Sequence, residues 1–265
     1  MKLQIVPPRT GTLWVRLGIQ TFFKQPLALA GLFFMCMAAL SIISLVPILG
    51  SIVAMVFLPT MALALMAATQ EATKGKFPTP TIVLSALRAG RKGMRPMLVL
   101  GALYAVGFMV VLGISALVDG GEFARIFLGS HVTEEASNDP VQLQEGMLAF
   151  MLLHLPLSLA FWHAPALVHW HGISPGKSLF FSLVACWRNK GAYLVFGLSW
   201  FGVLLTVGMV VQLLAVLLGQ PAFLGVGAFV LTLLTTCMFL TSIYFSFRDS
   251  FAADSAEEKA PDAIE

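Results

Sequence analysis

Between Gln25 and Gln70 the chain reads QPLALAGLFFMCMAALSIISLVPILGSIVAMVFLPTMALALMAATQ, 46 residues without one charged side chain. A helix rises 1.5 Å per residue, so about 20 apolar residues cross a ~30 Å hydrocarbon layer. The run is too long for one crossing and suits two, broken at Val46-Pro47-Ile48-Leu49-Gly50. Outward from it, Pro96 to Val118 supplies one more span. Gly146 to Gly176 supplies another, with Pro156 and Pro165 inside it. Gly191 to Phe247 is 57 uncharged residues and divides at Leu218-Gly219-Gln220-Pro221. Six helices are predicted, at about 27–48, 50–71, 97–118, 147–170, 192–218 and 223–247. Strands of a membrane barrel would alternate apolar and polar residues, whereas these runs are continuously apolar.

Composition agrees. Apolar types make up 58% of the 265 residues and charged types 11%. A soluble domain carries ~45–50% and ~25% respectively, so a water-soluble fold is excluded, and the chain is too apolar for disorder. Three cysteines make no disulfide scaffold. The first apolar run starts near Leu27 behind a basic leader and lacks a short cleavable core, so it reads as a retained helix rather than a signal peptide.

The cations fix an orientation. In a six-span chain one side receives Lys2, Arg9, Arg16 and Lys24; Lys74, Lys76, Arg88, Arg91, Lys92 and Arg95; Lys177, Arg188 and Lys190; and Arg248 and Lys259. The other keeps Arg125 alone, among Asp119, Glu122, Glu134, Glu135, Asp139 and Glu145. The positive-inside rule then places both termini in the cytoplasm.

A threefold internal repeat is also predicted. With Pro26, Pro96 and Ala192 aligned, Gly31, Gly101 and Gly197 follow five residues later. Leu17, Leu87 and Leu183 precede by nine, and Trp14, Leu84 and Phe180 by twelve. The units run about 10–72, 79–172 and 174–250, each a short interfacial helix followed by a two-span hairpin. Together they form a single membrane domain over 1–251 with pseudo-threefold symmetry about the membrane normal. Residues 252–265 form an acidic tail, expected to be disordered.

Each interfacial helix carries cations. Arg16, Gln20 and Lys24 share a face opposite Trp14 and Leu17; Arg88, Arg91, Lys92 and Arg95 oppose Val83, Leu87, Gly90 and Met94; Arg188 and Lys190 close the third. Thr79-Pro80 and Ser174-Pro175 suit helix starts. Such helices lie at the headgroup boundary, where each cation gains about 1 kcal/mol against anionic lipid. Anionic headgroups, or a membrane-protein partner, are the expected contacts. Nucleic acid is not, because the bases are dispersed and no binding module is present.

The segment Ser182-Leu-Val-Ala-Cys-Trp-Arg-Asn-Lys-Gly-Ala-Tyr-Leu-Val-Phe-Gly197, with Gly18-Ile-Gln-Thr-Phe-Phe-Lys-Gln-Pro26 behind it, resembles poorly characterised bacterial six-helix inner-membrane proteins. These are similar to the membrane domain fused to some glycerophosphodiester phosphodiesterases. The resemblance covers roughly residues 10–250 and implies a multi-pass protein of the bacterial inner membrane. No phosphodiesterase catalytic domain accompanies it, so that activity is not implied.

Chemical candidates are few. Apart from Glu71 at the very end of the second, no Asp, Glu, Lys or Arg lies inside a predicted span, which argues against an ion-coupled pump. Thr232, Thr235, Thr236, Thr241 and Ser242 in the sixth span, and Gln212 in the fifth, read as hydrogen-bonding between or within helices. His154, His163, His169 and His171 with Trp162 and Trp170 crowd the fourth. His169 and His171 point to different faces, so no metal or haem site is expected and packing or an interfacial belt is. The cysteines pack, and no P-loop, His-Glu-x-x-His or Gly-x-Ser-x-Gly motif occurs. Pro59 and Pro165 predict bends, Ala64-x-x-x-Ala68 and Gly101-x-x-x-Ala105 close helix contacts. Phe123, Ile126, Phe127 and Leu128 predict a loop that touches the bilayer or the helix tops.

The chain therefore reads as a non-enzymatic scaffold, accessory subunit or lipid-interacting protein without a cofactor. Its headgroup or partner contacts would be Arg16, Lys24, Arg88, Arg91, Lys92, Arg95, Arg188 and Lys190. The alternative is a small permease or channel with a pocket at His163, Gln212, Thr235 and Ser242. A wet cavity at the last three favours the alternative; closure by apolar side chains favours the first reading.

Overall fold

The computed structural model describes residues 2–46, 49–87, 94–128, 140–219 and 222–252. Its helices are α1 (Thr10–Lys24), α2 (Pro26–Ser44), α3 (Leu49–Thr73), α4 (Thr81–Leu87), α5 (Arg95–Val118), α6 (Glu122–Phe127), α7 (Pro140–Phe161), α8 (Ala164–His171), α9 (Pro175–Arg188), α10 (Lys190–Leu218) and α11 (Ala222–Ser250). Two short strands, β1 (Lys2–Leu3) and β2 (Phe251–Ala252), pair antiparallel. Among the described residues six segments are long and apolar enough to cross a membrane: α2, α3, α5, the stretch Val141–His171, α10 and the Gly227–Ser250 part of α11. Those are the six predicted spans. The helices α1, α4 and α9 precede the first, third and fifth of them, and Pro26, Pro96 and Ala192 fall at the first, second and third residues of α2, α5 and α10. Arg88, Arg91, Lys92, Gly90, the Pro47 turn, Gln220-Pro221, most of the acidic loop and the tail beyond Ala252 lie outside the described residues.

The chain divides into two compact units. In the first, α1 lies across α10 and α11. Two glycines permit it: a Cβ at Gly11 would strike the Ala192 carbonyl, and one at Gly18 would strike Ser242. Between them Trp14 is fully buried, its ring 5.3 Å from Tyr193 and 6.0 Å from Phe196. The Trp14 indole N–H donates to Asp249 Oδ2 at 2.9 Å, and Arg248 Nε donates to Asp249 Oδ1 at 2.8 Å. The apolar side of a helix at the headgroup boundary would face lipid, whereas Trp14 is covered by protein. Close backbone approach and a carboxylate partner make protein the better solvent for it.

Asn189 fills the single-residue junction between α9 and α10. Its side chain accepts from Val6 N–H at 2.9 Å and donates to the Gln4 carbonyl at 3.0 Å, pinning the N-terminal segment. That segment pairs Lys2 with Ala252 and Leu3 with Phe251. Residues on either side of all six spans thus meet in one ladder. An odd number of crossings could not bring them there.

In the second unit α3 and α5 touch where a Cβ at Gly101 would strike the Val56 carbonyl, the contact that Gly101-x-x-x-Ala105 predicts. Met55, Ala105, Phe108 and Leu112 form one buried cluster there, with Phe123 and Phe150 against it. Phe108 lies 5.2 Å from Phe127 and 5.4 Å from Phe150, so α6 caps the helix tops. Asp119, itself buried, holds α6 in place by accepting from Gly121 N–H at 2.9 Å and Phe123 N–H at 2.7 Å.

The fourth span is not one helix. α7 stops at Phe161 and α8 starts at Ala164, with Pro165 in its first turn. The predicted bend therefore falls at Trp162-His163, just ahead of the proline. Pro165 has no N–H to offer Phe161, and the chain gives up the neighbouring rung as well. Ser182 of α9 repairs it: His163 N–H donates to Ser182 Oγ at 3.0 Å, and that hydroxyl donates to the Leu159 carbonyl at 2.7 Å.

Candidate functional site

Two surfaces gather the candidate residues. The first is α9. Its inward stripe is small and polar: Ser178, Ser182, Ala185, Cys186 and, at the junction, Asn189 are all buried. Its outward stripe is large and apolar, with Phe180 63% and Trp187 73% exposed beside Phe181 and Leu183. Lys177 flanks it at one end, Arg188 and Lys190 at the other, all exposed. Lys190 Nζ lies 5.4 Å from the centre of the Trp187 ring. This is the reverse of a water-facing helix, and it suits insertion at a headgroup boundary, apolar body inward to the tails and cations outward.

Arg16, Gln20 and Lys24 also share an exposed face, on α1, and Arg95 is exposed at the start of α5. Among the described residues the salt bridges join Lys74 to Glu71 and Arg248 to Asp249, which leaves Arg16, Lys24, Arg95, Arg188 and Lys190 outside any ion pair. Positions that the predicted repeat would align have unlike surroundings. Trp14 is buried while Leu84 and Phe180 are each 63% exposed, and Gly101 sits at a backbone contact while Gly31 and Gly197 face open space.

The second surface is a groove between α10 and α11. One part, about 450 Å³, is lined by Gly197, Trp200, Leu204, Thr235 and Phe239 among others. A neighbouring part, about 270 Å³, shares Leu204 and Thr235 and adds Gly208, Gln212 and Thr232. Gln212 and Thr235, two of the predicted pocket residues, therefore meet. Ser242 does not join them: it is fully buried, accepts from the Trp200 indole N–H at 3.2 Å and donates to its own helix at Phe239. His163 belongs to the other unit and is fully buried at the break in the fourth span. The hydroxyls of Thr235, Thr236 and Thr241 each donate to the carbonyl four residues back, as read from the sequence. Trp200 and Phe239 as groove walls, and Ser182 as a splice, were not legible. Gln212 and Thr235 were the sequence traces of the groove; Gly197, which also lines it, read only as a repeat position.

Six apolar helical spans and paired ends define the class, a multi-pass α-helical membrane protein. The chain is 36% identical over 255 residues to a probable inner membrane protein of Burkholderia thailandensis, a match that covers 95% of this chain and 94% of that protein. It belongs to the family of that inner membrane protein. No family model matches the chain, and no solved structure matches it either.

Proposed function

We propose that this is a non-enzymatic protein of the inner membrane that holds anionic lipid headgroups on the cytoplasmic side, as a scaffold or accessory subunit for a membrane-protein partner. The observation that carries the reading is the inverted face of α9, where Phe180, Leu183 and Trp187 face outward between Lys177, Arg188 and Lys190. Arg16, Lys24 and Arg95 extend the same chemistry, and each cation contributes about 1 kcal/mol at an anionic surface. The cation count assigns that side, and both termini, to the cytoplasm. The succession of short helix, span and span, three times over, supports a parallel threefold repeat of the kind seen in the resemblance to phosphodiesterase-linked membrane domains. A ligand of nucleic acid, and an enzymatic role, find no support in the residues.

The rival reading is a small permease for a lipid-like substrate. Gln212 and Thr235 in one groove favour it, but most of the side chains that line the groove beside Thr235 are apolar and Ser242 is covered by Trp200. Native mass spectrometry in mild detergent separates the two. The protein retains phosphatidylglycerol over phosphatidylethanolamine, and a Lys177→Gln, Arg188→Gln, Lys190→Gln variant loses that preference. Equal retention of both lipids by the unaltered chain overturns the reading.

A further inference from the structure

The α10–α11 groove has a polarity gradient that runs along the membrane normal. α10 is the least covered of the six spans, with 11% of its membrane window buried. From Gly197 to Gln212 the groove follows α10 for about 22 Å at 1.5 Å per residue. One leaflet's tails occupy ~15 Å, so a chain lying in the groove passes the midplane. The walls change along the way. Near the end that carries the paired termini they are Gly197, Trp200 and Phe239. Toward the opposite end they are Thr232 and Gln212, the latter about 9 Å short of Leu218. Gln212 is exposed, and among the described residues no side-chain hydrogen bond engages it. An amide at that depth is costly unless something polar meets it. At the termini end Trp200 donates to Ser242 and packs against the Phe239 ring 5.6 Å away. Gly197 and Gly208 leave open space where other residues would fill it.

We propose that this groove binds the acyl chain of one phospholipid from the leaflet opposite the paired termini. The chain lies against Trp200, Leu204 and Phe239, and the ester carbonyl accepts a hydrogen bond from the Gln212 amide. The fit is of polarity to depth: esters sit at the edge of the hydrocarbon, where Gln212 is, and methylenes below it, where the aromatic rings are. The volume lies within the ~300–1,000 Å³ of ordinary small-molecule sites. The site lies at the opposite end of α10 from the basic rim of α9, and neither requires the other.

The test reconstitutes the full chain in phosphatidylethanolamine–phosphatidylglycerol vesicles. They contain a trace of phosphatidylcholine with a mid-chain diazirine, and adducts are mapped after irradiation. Adducts concentrate on residues 197–212 and 232–239 over the equally exposed Val106 and Val110 face of α5. Gly197→Leu, which fills open space and leaves thermal unfolding unchanged, lowers the groove adducts about tenfold while α5 adducts stay, the scale of discrimination a few misfit methylenes give in an apolar pocket. Gln212→Leu lowers them too, and the Lys177, Arg188 and Lys190 variant does not. Even labelling of every exposed face, groove adducts indifferent to Gly197→Leu, or α10-to-α10 cross-links showing a second copy in the groove would each overturn the proposal.

Discussion

Ser182 completes at His163 the hydrogen bond that the fourth span breaks. Its Oγ receives the His163 N–H at 3.0 Å and passes a proton donor to the Leu159 carbonyl at 2.7 Å, so one side chain stands in for an i to i−4 rung. Inserted hydroxyls are a known cause of kinks, and this one ties α9 to the break.

Ser182→Ala leaves a buried amide and carbonyl without that partner. A loss of about 1–3 kcal/mol follows, seen as a thermal midpoint several degrees lower in detergent. Leu183→Ala, one residue on and exposed, leaves the midpoint little changed.

The Trp14–Asp249 hydrogen bond couples α1 to the end of α11. Trp14→Phe keeps the ring packing and loses the donor, a cost of about 1.5–3 kcal/mol for a bond to a charged group. In a double-mutant cycle with Asp249→Ala the two losses are not additive, because each removes the same bond.

Gly18→Leu drives a side chain into Ser242 and displaces α1, whereas Gly31→Leu meets open space. The first lowers the unfolding midpoint and opens residues 2–24 to protease; the second does neither. Overpacking of this kind costs about 1–3 kcal/mol or more.

Asn189→Ala removes both side-chain bonds to the N-terminal segment. Amide hydrogen exchange at Leu3 to Val6 quickens by tenfold or more, about 1.4 kcal/mol of local stability, while exchange in α10 beyond Trp200 is unchanged.

The spans were legible because hydrocarbon imposes a length and a composition that few other environments do: the break after Ser44 and the stop at Leu218 fall close to where Pro and Gly signal them. Of the short helices, α1 was legible through cations at helical spacing, and α4 and α9 through Thr79-Pro80 and Ser174-Pro175 close to their starts. What the sequence concealed were choices among apolar surfaces. Trp14 and Phe180 stand at positions that the predicted repeat aligns and read alike, yet one finds Asp249 and Tyr193 and the other faces outward. Likewise Ser182 and Ser242 read as ordinary small polar residues, while each is fixed by a partner distant in sequence: Ser182 by His163, Ser242 by Trp200.

The proposed lipid role requires the basic helices to share the cytoplasmic side. The direct measurement is labelling of single cysteines, in a background lacking Cys36, Cys186 and Cys237, with a maleimide that cannot cross the inner membrane. Cysteine at Leu128 reacts in cells with a permeabilised outer membrane, and cysteine at Lys74 or Lys177 reacts only after the inner membrane is broken. Reaction of Lys74→Cys or Lys177→Cys from the periplasm, with Leu128→Cys protected, contradicts the account.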